Sequence, residues 1–148
     1  MNDSKLRLPK PKLTNHPVDI GLRTEAAILS ELTRRGYAVL VPWGVNQRYD
    51  LVLDLGGEFL RAQCKTGRLS DGAVGFYTRS IRTNTKHILK RGYRGEADLF
   101  LVYCPENSQI YAVPVDEAPG DRMLLRVAPP LNGQARRIRW AQDYELPG

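Results

Sequence analysis

The sequence predicts an α+β or mixed α/β protein, one domain around one central sheet. Three observations carry this: a well-punctuated helical segment near the start, a succession of short β-rich runs behind it, and no linker or internal repeat that would divide 148 residues. A chain of this length is one domain by size and can bury a core without disulfide or metal staples.

Met1 to about Asn15 is polar and basic, with Lys5, Arg7, Lys10 and Lys12 around the two prolines of PKPK. Residues 1–16 therefore read as a flexible basic arm, and 17–148 as the folded domain. A helix is expected from about Pro17 to Arg35. Asn15 or His16 suits the N-cap, Pro17 the first helical position and Asp19 the first turn; Arg34 and Arg35 complement the far end of the dipole, and Gly36 stops the helix. Tyr37–Pro42 is a first strand, followed by the loop WGVNQR. Tyr49–Leu55 and Glu58–Lys65 are two more, joined by Gly56-Gly57 as a two-residue hairpin turn. Gly72–Thr78 is a fourth strand, and Arg79–Arg94 reads as a basic loop or short helix. Two further strands, ADLFLVYCP and QIYAVPV, flank a turn at ENSQ. The tail carries the apolar run MLLRV, then APPLNGQ and the basic-aromatic RRIRW.

Composition excludes several function classes. Cys64 and Cys104 form no CxxC pair and His16 and His87 are the only histidines, which removes disulfide frameworks, zinc fingers and His-rich metal sites. Both cysteines lie in apolar strands and read as buried thiols. No apolar run approaches the roughly 18 residues that spanning a bilayer requires, and no signal-peptide core is present, so the chain reads as soluble, intracellular and cytoplasmic. Lys plus Arg exceeds Asp plus Glu by 22 to 16, a net charge of +6, carried mostly by arginine; this favours anionic partners such as nucleic acid.

Two places carry candidate chemistry. Glu25 lies three residues after Leu22, three and four before Ile28 and Leu29 and seven before Leu32, which puts its carboxylate on the apolar stripe of the helix. A carboxylate there is either half of a buried ion pair or part of a metal or catalytic site. In the hairpin, pairing Leu55 with Glu58 places Asp50 opposite Gln63, with Lys65 diagonal on the same face. The other face, Leu51, Leu53 and Leu55 against Leu60, Ala62 and Cys64, is core. An Asp, a Gln and a Lys gathered at a strand end can hold a divalent cation through oxygen and set a positive charge beside a phosphate, or can be an ordinary solvated sheet face. Arg79, Arg82, Lys86, Lys90, Arg91 and Arg94 run without an intervening acidic residue and suit phosphate contacts, with Tyr77 and Tyr93 nearby; Arg136, Arg137, Arg139 and Trp140 are a weaker second patch.

Glu25 in the first helix, Asp50 at the start of the second strand and Gln63-Cys64-Lys65 on the third resemble the core of the PD-(D/E)XK nuclease superfamily. The blocks RTEAAILSELTRRGYAVLVPWG, YDLVLDLGGEFLRAQCKTGR, ADLFLVYCPENSQIYAVPV and LRVAPPLNGQARRIRWAQDYEL are similar to its group I intron-associated endonucleases, from about Gly21 nearly to the end. The resemblance implies a restriction-endonuclease-like core, a central mixed β-sheet flanked by helices. It implies Mg²⁺, with Mn²⁺ able to substitute, held by Asp50, Gln63, the Cys64 carbonyl and Glu25. Lys65 would position or activate water or stabilise charge on the phosphate, and Glu25 would bind the metal or polarise its water. The sequence departs from the motif twice: Tyr49 stands in place of its Pro, which is scaffold, and Gln63 in place of its second acid, which removes one negative charge from the metal site. Glutamine occurs at this place among such relatives, which favours activity.

The function so implied is a metal-dependent DNA endonuclease, phage- or intron-encoded. Its substrate would be either a long duplex site, as for a homing enzyme, or a branched junction, as for a Holliday junction resolvase of similar size and core. One site per small domain implies a homodimer or a dimer of dimers. Two competitors are a non-catalytic nucleic-acid-binding module that has lost cleavage through Gln63, and a structural protein with an incidental basic face.

Overall fold

The computed structural model describes residues 6–83, 88–118, 120–133 and 136–147. Residues 6–16 carry no secondary structure and are exposed; the rest of the expected arm lies outside the described residues. Helix α1 (Pro17–Arg34) forms where its signals sit. His16 is extended and its Nδ1 accepts the Val18 N–H at 3.3 Å, while Pro17 opens the helix. At the far end Gly36 takes φ +86°, and its N–H and that of Tyr37 reach back to Thr33 O (3.1 Å) and Leu32 O (3.0 Å). Only glycine adopts that left-handed turn without strain, so the helix stops there.

Ten strands follow among the described residues: β1 (Ala38–Leu40), β2 (Leu51–Asp54), β3 (Phe59–Thr66), β4 (Arg68–Ser70), β5 (Ala73–Tyr77), β6 (Ser80–Thr83), β7 (Ile88–Arg91), β8 (Leu99–Cys104), β9 (Gln109–Pro114) and β10 (Arg122–Arg126). Five of them make the main sheet, in order β1-β2-β3-β8-β9, antiparallel except for the parallel pair β3–β8. The β2–β3 register is the one the hairpin turn dictates, Leu51↔Ala62 to Asp54↔Phe59, closed by Leu55 N–H to Glu58 O at 2.9 Å.

One face of this sheet packs on α1 through Ile28, Leu32, Leu51, Leu53, Ala62, Cys64, Leu99 and Leu101. Leu55, expected in this face, is 45% exposed, because it sits at the open tip of the hairpin beyond the reach of α1. The buried row of α1 is Thr24, Ile28 and Leu32. Leu22 and Leu29 are 64% and 39% exposed, so the stripe is narrower than expected and Glu25 stands beside it, not in it. A single i, i+4 row suffices where one helix lies on a sheet and its outer side faces solvent.

The opposite face carries Phe100, Val102, Cys104, Tyr111 and Val113 and is covered by a second sheet, in order β10-β5-β4, through Val74, Phe76, Met123 and Leu125. This corrects two expectations: there is more than one sheet, and α1 is the only α-helix among the described residues, so the main sheet is not flanked by helices. The cause lies between β3 and β8. Asp71 and Gly72, at φ +52° and +75°, form a two-residue turn of the kind that joins twisted strands, and the run AVGFY behind it is β-branched and aromatic. Gly67, linking β3 to β4, allows the two sheets to approach; a Cβ there would lie 2.7 Å from Val74 Cγ1. The segment expected as a basic loop or short helix is instead a two-stranded ribbon, with Ser80 paired to Arg91 and Thr83 to Ile88. Ile81, Thr83 and Ile88 favour strand over helix through their branched Cβ.

Candidate active site

The β2–β3 ladder ends at Leu51↔Ala62, so the expected pairing of Asp50 with Gln63 does not form: Asp50 stands one step beyond the ladder, at its mouth, and its N–H turns to Ala62 O instead. Two bonds tie it to β3: its N–H donates to Ala62 O at 2.8 Å, and its Oδ2 accepts the N–H of Cys64 at 2.8 Å. Alternation along β3 then divides the neighbouring side chains. Cys64 and Thr66 face α1, whereas Gln63 and Lys65 face the other way. Thr66 Oγ1 meets the buried Thr24 Oγ1 at 2.6 Å, which fixes α1 against β3 one residue before Glu25. Glu25 and Asp50 come close enough to hydrogen-bond to each other, and the charge of Lys65 acts on Asp50. The structure thus brings Glu25, Asp50 and Lys65 together. Gln63 lies on the Lys65 face of β3, and its Nε2 donates a long hydrogen bond of 3.5 Å to the Cys64 carbonyl.

The electrostatics of this cluster are strained in one direction. Burial raises the pKa of Glu25, and the charge of Asp50 and the hydrogen bond with it raise it further. Burial also raises Asp50, against the pull of the Cys64 N–H, Glu25 and Lys65. The two carboxyls behave as one titrating pair. Lys65 is lowered to about 8, chiefly by burial; Asp50 pulls it up and Arg48 pushes it down. The Cys64 thiol is pushed up by burial and by Asp50 and Glu25, as expected for an inert buried cysteine. Burial is the first cause of all three shifts, and a positive charge between Glu25 and Asp50 would offset the two carboxyl shifts.

A hard divalent cation fits that description. Glu25 and Asp50 are the carboxylate oxygens that meet here, and the Gln63 amide oxygen and the Cys64 carbonyl on the adjoining β3 are further oxygens of the donor type that suits Mg²⁺ or Mn²⁺. Each carboxyl is raised first by burial, and a cation between them would offset that shift. No cluster of three or more His, Cys, Asp or Glu that could hold a metal ion is found among the described residues.

The basic run does not gather at this cluster; it lines the ribbon and the turn after it, and most of its described residues have acidic partners. Arg79 and Lys90 both pair with Asp121, at 3.2 and 2.7 Å; Arg91 pairs with Glu96, and Arg94 with Asp116 at 3.5 Å. Arg82 lies in β6, and Lys86 falls outside the described residues. Asp121 and Asp116 come from later segments, so the sequence could not show the pairing. Among the residues of the second patch, Trp140 is half-buried at the start of a 3₁₀ turn (Ala141–Tyr144), bridged to Arg126. Two further residues stand next to Lys65: Arg48, which sequence reasoning passed over, and Tyr93, which it noted only as a neighbour of the basic run. Arg48 lies in the irregular segment before β2 and Tyr93 arrives from a distant turn, so neither carried a local signal for this place.

The family model described as PD-(D/E)XK endonuclease matches residues 15–147. Among solved structures, the bacterial homing endonuclease I-Ssp6803I is similar at 28% identity with a TM-score of 0.73, covering 87% of this chain and 88% of that one. The Holliday junction resolvase Hjc of the archaeal hyperthermophile Archaeoglobus fulgidus overlaps at 17% identity and a TM-score of 0.43, covering 72% of this chain and 83% of that one. No curated protein matches. Among the described residues no helix is long and apolar enough to cross a membrane.

Proposed function

The chain belongs to the PD-(D/E)XK endonuclease family, and from that premise we propose that it is a divalent-metal-dependent endonuclease that hydrolyses phosphodiester bonds at a specific site in duplex DNA, in the manner of a homing enzyme. The observation that carries the proposal is the meeting at Asp50: a carboxylate oriented by the Cys64 N–H, within hydrogen-bonding reach of Glu25 and under the charge of Lys65. The duplex substrate is favoured over a branched junction by the likeness to a homing endonuclease along nearly the whole of both chains.

Under this reading Asp50, Glu25, the Gln63 amide oxygen and the Cys64 carbonyl hold the cation. When bound, Mg²⁺ or Mn²⁺ supplies a Lewis acid for the scissile phosphate. The chain's own residues do the rest. The Cys64 N–H fixes the direction of the Asp50 carboxylate; Glu25 stands beside Asp50 as the second carboxylate toward the cation; and Lys65 holds positive charge where negative charge grows on the phosphate. Arg79, Arg82, Lys86, Lys90, Arg91 and Arg94 serve as phosphate contacts. The ion pairs on the ribbon side lie near the surface, where water screens them, and phosphates can replace their carboxylates. The folded nuclease unit is 17–148, with 1–16 as a basic extension. Because each chain carries one such site, a double-strand break takes two copies, as a homodimer or a dimer of dimers.

The test is cleavage of long genomic duplex fragments, supercoiled plasmid and a mobile four-way junction with Mg²⁺, Mn²⁺ or EDTA, with Asp50→Asn as control. Discrete metal-dependent cuts at one rare duplex sequence, lost in Asp50→Asn, are expected. Paired symmetric nicks in the junction alone would make the protein a resolvase. Tight binding with no cutting of any substrate would make it a binding module disabled by Gln63.

A further inference from the structure

Lys65 presents a problem of placement. Its side chain is long and carries about 2 kcal/mol of rotamer entropy, so a catalytic position must be enforced by its surroundings. Asp50 attracts it but cannot choose its direction of approach. The surroundings that do so converge from outside the motif. Lys65 Nζ donates to Tyr93 Oη at 3.2 Å, and lies 4.6 Å from the centroid of the Tyr93 ring.

Tyr93 is itself immobilised. It is 5% exposed, and its carbonyl accepts the N–H groups of Glu96 and Ala97, both at 2.9 Å. Its ring packs edge-on against Phe100, with centroids 5.5 Å apart and planes at 88°, and Phe100 packs in the same way on Phe76. The Arg48 guanidinium lies 4.1 Å from the Tyr93 centroid. That guanidinium is held in turn by Ser80 Oγ (3.0 Å), Gly92 O (2.7 Å) and the Glu96 carboxylate. Arg48 is two residues from Asp50, so the group that grips the ring is tied through one residue of backbone to the carboxylate that Lys65 must meet. Burial raises the pKa of Tyr93, which keeps it a neutral phenol whose oxygen can accept from an ammonium. A tyrosine used only for packing needs none of this: a phenylalanine would fill the same space.

We propose that Tyr93 is the positioning residue for Lys65: its hydroxyl anchors the ammonium, and its ring, gripped by Arg48, fixes the direction from which Lys65 reaches Asp50. The inference rests on the proposed role of Lys65 in cleavage. Tyr93→Phe tests it, since that change keeps the ring and its packing and removes Oη; because Ser80 and Arg48 also hydrogen-bond to that oxygen, Ser80→Ala is the control and should leave the rate near that of the wild type. With Mg²⁺ and a cleavable duplex, the single-turnover rate is expected to fall between about 10- and 100-fold, the size of effect a misplaced catalytic group produces. KM and metal-free DNA affinity should stay as in the wild type, and Tm should move by no more than about 3 °C. An unchanged rate, or a parallel loss of rate, affinity and Tm, overturns the proposal.

A second arm does not depend on cutting. The chain has six lysines, few enough for their side-chain ε-CH₂ and ζ-NH₃⁺ groups to be resolved by NMR, with Lys65→Arg as the assignment. The Lys65 ε-protons are expected upfield, shielded by the Tyr93 ring, with slow exchange of its ζ-protons. Tyr93→Phe should keep the upfield shift and speed the exchange. Lys65 ε-protons at the position of the other lysines overturn the pairing itself. If the wild type cuts no DNA, the nuclease reading falls and the catalytic purpose with it, while this arm still decides whether Tyr93 holds Lys65.

Discussion

Asp50→Asn should make the metal-free protein more stable while abolishing cleavage. The substitution conserves shape and removes one charge. Burial raises the pKa of Asp50 above 3.8 and that of Glu25 above 4.5, and the opposing bonds from Cys64 N–H and Lys65 do not reverse it. The native state therefore holds more protons than the unfolded state from about pH 4 upward through the pair's raised titration, and stability falls as pH rises through that window. The contribution of the pair is fully present below the unfolded values and lost at neutral pH. Asparagine escapes that loss. Its amide oxygen still accepts the Cys64 N–H, though a neutral acceptor makes a bond about half as strong as a carboxylate. Removing functional strain of this kind commonly returns about 0.5–2 kcal/mol, and Asp50 is only half-buried, so the lower part of that range applies. At about 2–4 °C per kcal/mol for a chain of this size, Tm should rise by a few degrees. The assay is thermal unfolding in EDTA near neutral pH and again near pH 4, where the gap between variant and wild type should close. Added Mg²⁺ separates the proteins in the other sense: at ten times its Kd it stabilises the wild type by about 1.4 kcal/mol and the variant by much less. A variant that melts lower than wild type in EDTA at neutral pH would show that Asp50 is a structural residue, and equal Mg²⁺ stabilisation of both would put the cation elsewhere.

Three further outcomes can be measured. Asp98 accepts from the Arg61 N–H at 2.7 Å and from its guanidinium at 3.1 and 3.2 Å, and Arg61 holds its carboxyl below the usual range. Asp98→Ala should cost about 1–2 kcal/mol in urea unfolding at neutral pH, and because the native pKa is depressed, the difference should fade as pH falls below about 4. Gly67→Ala sets a methyl 2.7 Å from Val74 Cγ1 and 3.0 Å from Val102 Cγ1, both in fully buried valines; a loss of about 1–3 kcal/mol is expected, partly restored by Val74→Ala. Replacing Arg91 and Arg94 together by alanine should flatten the dependence of log affinity for DNA on log salt by about 0.9 for each phosphate these side chains neutralise, with Tm nearly unchanged.

What the sequence disclosed about this molecule was local. The cap at His16, the stop at Gly36 and the Gly56-Gly57 turn each act within a few residues, and each formed as read. The hairpin turn then fixed a register, and register alone put Gln63 and Lys65 on one face of β3 and Cys64 on the other. Errors arose where distant segments decide. Whether Leu22 and Leu29 are buried depends on what lies above α1, and both are open to solvent there. Whether the second face of the sheet takes helices or strands was settled by β4, β5 and β10 packing as a layer, and the tail supplied β10 from a run read only as apolar. The basic run was legible as charge, but its partners Asp116 and Asp121 lie outside it.

Gln63 follows from the same electrostatics that surround it. Glu25 and Asp50 already share a site that disfavours both charges. A third carboxylate on the adjoining strand would add repulsion that the metal-free fold must carry, whereas an amide keeps an oxygen donor and adds no charge. At Lys65, burial, with the charge of Arg48, outweighs the attraction of Asp50, and the pKa drops to about 8. An ammonium so weakly held by charge needs to be held by geometry. The bond to Tyr93 Oη and the ring beneath it supply that hold without adding another negative charge, so a neutral Gln63 and a neutral Tyr93 are two parts of one solution.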